Sequence, residues 1–212
     1  MIDLPQMVAA YAHADFAQLS KNFVDRLIEL SDGARTARCV ELGTGPADIP
    51  IRLLAKCSGW RVTAVEGSPP MLGFARHAVN QAGLASAIQL VQADAKDTGL
   101  DPKGFNIVFG NNILHHIDNT SRFWKEVNRL SASGGLVFMR DLFRPPSIAS
   151  AWEVVEKYTV DESELMRDEF MRALLASYTP DEVRRQLAAA GLKNLTVEQV
   201  SDRHMDIHGR VG

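Results

Sequence analysis

Short apolar runs rich in β-branched residues alternate with helical patterns from Arg38 to Arg140. This alternation constrains the fold more than any other feature, because it is the signature of βαβ units and a mostly parallel sheet. The runs predict strands over 38–42, 61–66, 88–92, 105–110, 136–140, 195–200 and 203–209. The runs at 38–42 and 105–110 are nearly continuously apolar, as strands covered on both faces are, so they are expected at the centre of the sheet.

The helix signals agree with this reading. Ser68-Pro69 reads as an N-cap followed by proline in the first position, opening a helix that runs to Gly83. Thr179-Pro180-Asp181-Glu182 combines an N-cap, an early proline and a glutamate three residues on, and that helix closes at Gly191. Asp48-Ile49-Pro50 opens the helix after the first strand. Between residues 145 and 177 the alternation breaks into one or two amphipathic helices, where Trp152, Val155, Tyr158 and Val160 form an apolar stripe read as cap packing. The expected organisation is one domain over 1–212, with an N-terminal helical lid at 1–31 and an inserted helical cap at 145–177. Both would lie over the carboxyl ends of the strands, where open α/β sheets bind ligands.

The 212 residues are 46% hydrophobic and 23% charged, an ordinary globular mixture long enough to bury a core. The net charge of −3 and the absence of a Lys/Arg run argue against a nucleic-acid partner. The two cysteines, Cys39 and Cys57, form no CxxC or Cys/His cluster, so neither a metal site nor a disulfide framework is expected. Cys39 sits in an apolar run and reads as a small buried hydrophobe. No apolar run approaches membrane-spanning length and no secretory leader is visible, so the expected location is cytoplasmic, with no membrane partner.

The densest chemical signal is Val40-Glu41-Leu42-Gly43-Thr44-Gly45-Pro46-Ala47. Two glycines after a strand let the backbone turn sharply and approach a ligand closely. Glu66 ends the next strand, at the spacing that puts a carboxylate on ribose hydroxyls, about 20 residues further on. Asp94 follows the third strand at the same sheet edge, where it can accept from an adenine amino group. Glu41 separates the cofactors: it would repel a pyrophosphate, but it suits a sulfonium cation with an amino-acid tail. With the third glycine of the dinucleotide fingerprint also missing, a nicotinamide-dependent dehydrogenase is disfavoured.

On these residues the chain resembles the class I S-adenosylmethionine (SAM) dependent methyltransferases, especially the small-molecule branch that includes ubiquinone and menaquinone C-methyltransferases. The resemblance runs from Arg38 to Gly212. Glu41-Leu42-Gly43-Thr44-Gly45-Pro46 resembles the first SAM motif, and Val65-Glu66-Gly67-Ser68 with Met71-Leu72 the second. Ala93-Asp94-Ala95 resembles the third, and Phe105-Asn106-Ile107-Val108 with Asn111-Asn112-Ile113-Leu114-His115-His116 the fourth. Ser133-Gly134-Gly135-Leu136 is similar to the turn before the fifth strand. There are two departures: Ala47 stands where many relatives have Gly, and Asn106 where many have Asp. The second would remove a charge near the cofactor while keeping a hydrogen-bonding side chain.

The resemblance implies a Rossmann-like three-layer α/β sandwich with a mostly parallel seven-stranded sheet, an antiparallel last strand and a helical cap. It implies methyl transfer from SAM to a small molecule, with S-adenosylhomocysteine as product. The cofactor set is Tyr11, Glu41, Gly43, Thr44, Gly45, Glu66, Gly67, Met71, Asp94, Ala95 and the backbone of Asn111. Glu66 is expected on the ribose, Asp94 on the adenine amine, Met71 against the adenine ring and Tyr11 in a lid. On the acceptor side, His115 and His116 are candidates for substrate binding or proton removal, against capping and packing roles. Arg140 and Arg144 are candidates for an anionic substrate group, against surface ion pairs. Two rivals remain: a nucleic-acid methyltransferase, although Asn111-Asn112-Ile113-Leu114 does not match the Pro-Pro-aromatic pattern of base methylation, and a SAM-binding protein without catalysis.

Overall fold

The computed structural model describes residues 17–160 and 162–212. Among them one sheet carries β1 (Arg38–Leu42), β2 (Arg61–Glu66), β3 (Ile88–Gln92), β4 (Phe105–Asn111), β5 (Ser131–Leu142), β6 (Thr196–Gln199) and β7 (His204–Arg210). The spatial order is β3-β2-β1-β4-β5-β7-β6. Pairings from β3 through β5 are parallel, and β7 runs antiparallel to both its neighbours. Strand order reverses between β1 and β4, which opens a crevice at their carboxyl ends.

Helices cover both faces. On one lie α1 (Ala17–Leu30), α2 (Asp48–Lys56) and α3 (Pro69–Gln81); on the other lie α4 (Thr120–Leu130) and α7 (Pro180–Ala189). Successive strand residues point to opposite faces. Cys39, Ile107 and Phe138 therefore join Phe23, Leu53 and Val79 in one core, while Val40, Val108 and Val137 join Trp124, Val127 and Leu187 in the other. Phe23 of α1 stacks on Phe138 with ring centroids 4.6 Å apart. The second half of the expected lid is thus built into a core, although Ala17, Leu19 and Ser20 at its start line the cavity described below. Tyr11 and the first sixteen residues fall outside the described residues.

The inserted pair α5 (Ile148–Tyr158) and α6 (Glu164–Ala176) packs on Leu142, the last residue of β5, through Ala151, Val155, Met171 and Leu174. The stripe read as cap packing is not one face: Val155 is buried, but Trp152, Tyr158 and Val160 are exposed. Tyr158 instead bonds Asp202 through its hydroxyl and stacks under the Arg203 guanidinium.

The capping box at Thr179 forms as read, with Glu182 reaching back to the Thr179 N–H. Ser68 precedes α3 but makes no capping bond. Glu66 accepts its N–H at 2.8 Å instead, and the Ser68 hydroxyl is buried without a partner. Asn106 corrects another expectation. It lies near the amino end of β4, where its side chain accepts the Arg38 N–H at 2.9 Å, at the edge opposite the glycine turn. Losing a charge there has no bearing on a ligand at the carboxyl ends.

Candidate active site

At the carboxyl ends of β1 to β4 the chain encloses a cavity of about 620 Å³, a size that accepts a nucleoside-type ligand. It is lined by Glu41, Gly43, Thr44, Gly45, Glu66, Gly67, Met71, Asp94, Ala95, Asn111 and His116. All of these are site candidates from the sequence, brought together because each follows or ends a neighbouring strand. His115, Arg140 and Arg144 are not in its wall.

The glycine turn is shaped from both sides. Gly43 has φ +75°, and a Cβ there would meet Ile113 Cδ1 at 2.4 Å. Gly45 has φ +55°, and its N–H donates to Glu66 Oε2 at 2.9 Å. Ala47 is also left-handed, with φ 67°, which accounts for the glycine common at this position in proteins that this sequence resembles. With the Ser68 N–H on Oε1, both oxygens of Glu66 are oriented by backbone donors. A carboxylate has about four acceptor positions, so two remain for ligand hydroxyls. Asp94 is half-exposed and accepts the Lys96 N–H at 2.8 Å, while the Lys96 ammonium pairs with Asp118.

Glu41 is 1% exposed. Burial pushes its carboxyl up to about 8, the Thr44 hydroxyl bond opposes that, and the nearby Glu66 and Asp48 charges add to it. The group is therefore largely neutral near pH 7 until a positive charge arrives beside it.

The two histidines separate. His116 lines the cavity and keeps an exposed side chain, yet desolvation by its neighbours, followed by the adjacent His115, lowers its pKa to about 4, so its imidazole is neutral. His115 packs against it with ring centroids 4.0 Å apart and donates from Nδ1 to Asp141 Oδ1 at 2.6 Å. Asp141, itself buried, accepts the Leu114 N–H on its other oxygen at 2.6 Å. Sequence reasoning did not assign Asp141 this role, since its partners lie 26 and 27 residues away.

The arginines are held elsewhere. Arg140 faces Asp206 directly across β5 and β7 and binds it with two hydrogen bonds of 2.6 and 2.7 Å. Arg144 bonds Glu182 at 2.6 Å and the Ser177 carbonyl at 3.1 Å. Two residues of the wall, Ser68, read from the sequence as an N-cap, and Asn112, each bury a side-chain oxygen with no hydrogen-bond partner among the described residues. The Glu66 and Asp94 carboxylates, held by backbone N–H groups with acceptor positions left over at the cavity, suit hydroxyl and amino donors, so the residues present fit SAM.

Residues 40–139 match the family described as a methyltransferase domain. A malonyl-acyl-carrier protein O-methyltransferase of Geobacter sulfurreducens is 26% identical over 91% of this chain and 70% of its own. A glycine/sarcosine/dimethylglycine N-methyltransferase of Actinopolyspora halophila is 26% identical over 93% of this chain but only 33% of its own. The chain thus spans about a third of the second relative. A SAM-dependent methyltransferase structure from Aquifex aeolicus superposes with a TM-score of 0.71 at 16% identity, covering 99% of both chains. Residues 40–139 thus match a methyltransferase domain, on a fold shared with solved SAM-dependent methyltransferases.

Proposed function

We propose that this enzyme methylates a small-molecule acceptor, with Glu66 on the ribose, Asp94 on the adenine amine, Met71 against the adenine ring and Asn111 beside the methionine part. The observation that carries the reading is the convergence of Glu66, Asp94 and the positive-φ turn at Gly43 and Gly45 on one cavity at the sheet's switch point. Bound SAM supplies a methyl group already activated on sulfur, which the acceptor's lone pair displaces in line while the C–S electrons return to sulfur. The chain's own work is alignment. Glu66, fixed by two backbone N–H groups, orients the ribose. Ile113 occupies the space a side chain at Gly43 would need, so the turn takes glycine there.

His116 is the group that receives a proton. Being neutral, it has a free nitrogen lone pair, and the acceptor atom becomes more acidic as it gains the methyl group, so a weak base suffices. The relatives named above act on a carrier-bound malonyl group and on glycine derivatives, which supports a small acceptor group. A cytoplasmic site of action is part of the proposal, and no helix among the described residues is long and apolar enough to cross a membrane. Calorimetry tests the reading: SAM and S-adenosylhomocysteine should bind and NAD should not. Binding of NAD in place of both would overturn it.

A further inference from the structure

The inserted pair of helices has a second face. Its inner residues Ala151, Val155, Met171 and Leu174 are occupied by Leu142. Yet six of the seven large hydrophobic residues exposed among the described residues lie on α5, α6 or the turn between them: Ile148, Trp152, Tyr158, Val160, Leu165 and Leu175. The seventh, Val200, follows β6. Single exposed hydrophobic side chains are ordinary, but their concentration on one element marks a contact surface. Ile148 and Trp152 stand one turn apart on α5, and Leu165, Asp168 and Leu175 recur on one side of α6. The two rows meet at a cleft of about 410 Å³ lined by Trp152, Glu162, Glu164, Arg167 and Asp168.

The charges of this face restrict what can cover it. Lys157 is paired with Asp202, and Arg172 with Glu169. The carboxylates of Glu153, Glu156, Glu162, Glu164 and Asp168 have no ion pair or hydrogen bond among the described residues, and Arg167 is the one cation of the pair left unpaired among them. A second copy of the chain would set these carboxylates against their own counterparts, and an anionic lipid surface would be repelled. A basic partner gains from each of them. The cleft adds a place for one cation, because an indole, which attracts positive charge over its ring face, stands there beside three carboxylates.

We propose that the outer face of α5 and α6 docks a basic amphipathic segment of a partner protein. Its apolar side chains lie on Ile148, Leu165 and Leu175, and a Lys or Arg enters the cleft between the Trp152 indole and the carboxylates of Glu162, Glu164 and Asp168. An aromatic anchor with charged groups around it is the arrangement in which a few residues carry most of the binding. The cleft shares no wall residue with the cofactor cavity, so docking does not depend on what that cavity binds.

Fluorescence tests this on the whole chain. Trp60 and Trp124 are fully buried and Trp152 is 42% exposed, so acrylamide quenching of tryptophan emission reads Trp152. The probe is a synthetic amphipathic peptide of leucine and lysine, about 14 residues long, with a leucine–glutamate peptide of the same length beside it. The lysine peptide should shift the Trp152 emission to shorter wavelength, protect it from acrylamide and bind more weakly as salt is added, and the glutamate peptide should do none of these. In Glu162→Lys/Asp168→Lys the affinity of the lysine peptide should fall about tenfold, and in Ile148→Ser by a similar factor. All three positions are exposed, so the urea midpoints should stay at the wild-type value. The proposal is overturned if the glutamate peptide protects Trp152 equally, if either variant binds the lysine peptide as tightly as wild type, or if the lysine peptide gives no protection. Protection by phosphatidylglycerol vesicles, or protection that rises with protein concentration alone, also overturns it, by giving the face to lipid or to a second copy. A Trp152 already shielded from acrylamide in dilute protein overturns it too, because the chain itself then covers the face.

Discussion

The two halves of the sheet use their polar side chains in opposite ways. Along β1 to β3 the carboxylates at the cavity are held by backbone N–H groups of the adjoining turns: Glu66 by those of Gly45 and Ser68, Asp94 by that of Lys96. Around β5 and beyond, the polar and charged side chains are consumed by other side chains far away in sequence. Arg140 is taken by Asp206, Arg144 by Glu182 and His115 by Asp141. A local motif therefore reports function in the first half, whereas in the second half a side chain's role depends on what the fold brings opposite it.

The sharpest way to break that contrast is Arg140→Ala. Asp206 is fully buried, and removing Arg140 leaves its charge only the Arg26 guanidinium at 4.0 Å, so stability should fall by about 3 kcal/mol. Arg144→Ala, from a partly exposed pair, should cost about 1 kcal/mol or less. Urea denaturation separates the two, and a mild Arg140→Ala would return that residue to the list of substrate ligands. In the cofactor half the balance should reverse. Glu66→Ala should weaken SAM by about 1–3 kcal/mol while changing stability little. Equal SAM affinity in that variant would remove Glu66 from the ribose.

Protonation sharpens the comparison further. The Glu41 carboxyl is raised to about 8 in the fold, so the protonated form is favoured. Its contribution to stability is fully present below the ordinary carboxylate range and is lost as pH rises through about 8. A cationic ligand favours the ionised form, so SAM affinity should rise with pH until about 8 and then level off, with proton release seen in calorimetry across buffers. Glu41→Gln should flatten that dependence. His116 works at the other end of the scale. Because its pKa is pulled down to about 4, methyl transfer should stay level through the usual histidine range and fall only near 4. A break near 6.5 instead would show that the His116 pKa is not lowered, and one that persists in His116→Ala would show that another group takes the proton. The smallest effect is expected at Ala47→Gly. Relief of the left-handed strain at φ 67° and loss of a buried methyl nearly cancel, leaving a change within about 1 kcal/mol.

The cofactor half was legible because its information is local. Short apolar runs rich in β-branched residues place β1 and β2, the glycines after β1 permit positive φ, and one βαβ spacing carries Glu66 to the same edge. None of that requires knowing what lies across the sheet. The strand ends were read to within a few residues, except that β5 begins earlier, at Ser131, where the chain leaving α4 already pairs with Phe105 before its register shifts.

What the sequence by itself determined about this protein is therefore the doubly covered sheet, the carboxyl edge that binds the ligand, and the residue types that meet there. Only the tertiary structure decided which charged groups stay free. Arg140 meets Asp206 because β7 inserts beside β5 in antiparallel register, and His115 turns to Asp141 because that carboxylate also receives the Leu114 N–H. Asn112 is left with an unpaired oxygen because the backbone alone closes its turn. The physical reason is the same in each case. A buried charge or polar group must be satisfied by whatever the fold places within about 3 Å of it, and no spacing along the chain specifies that neighbour.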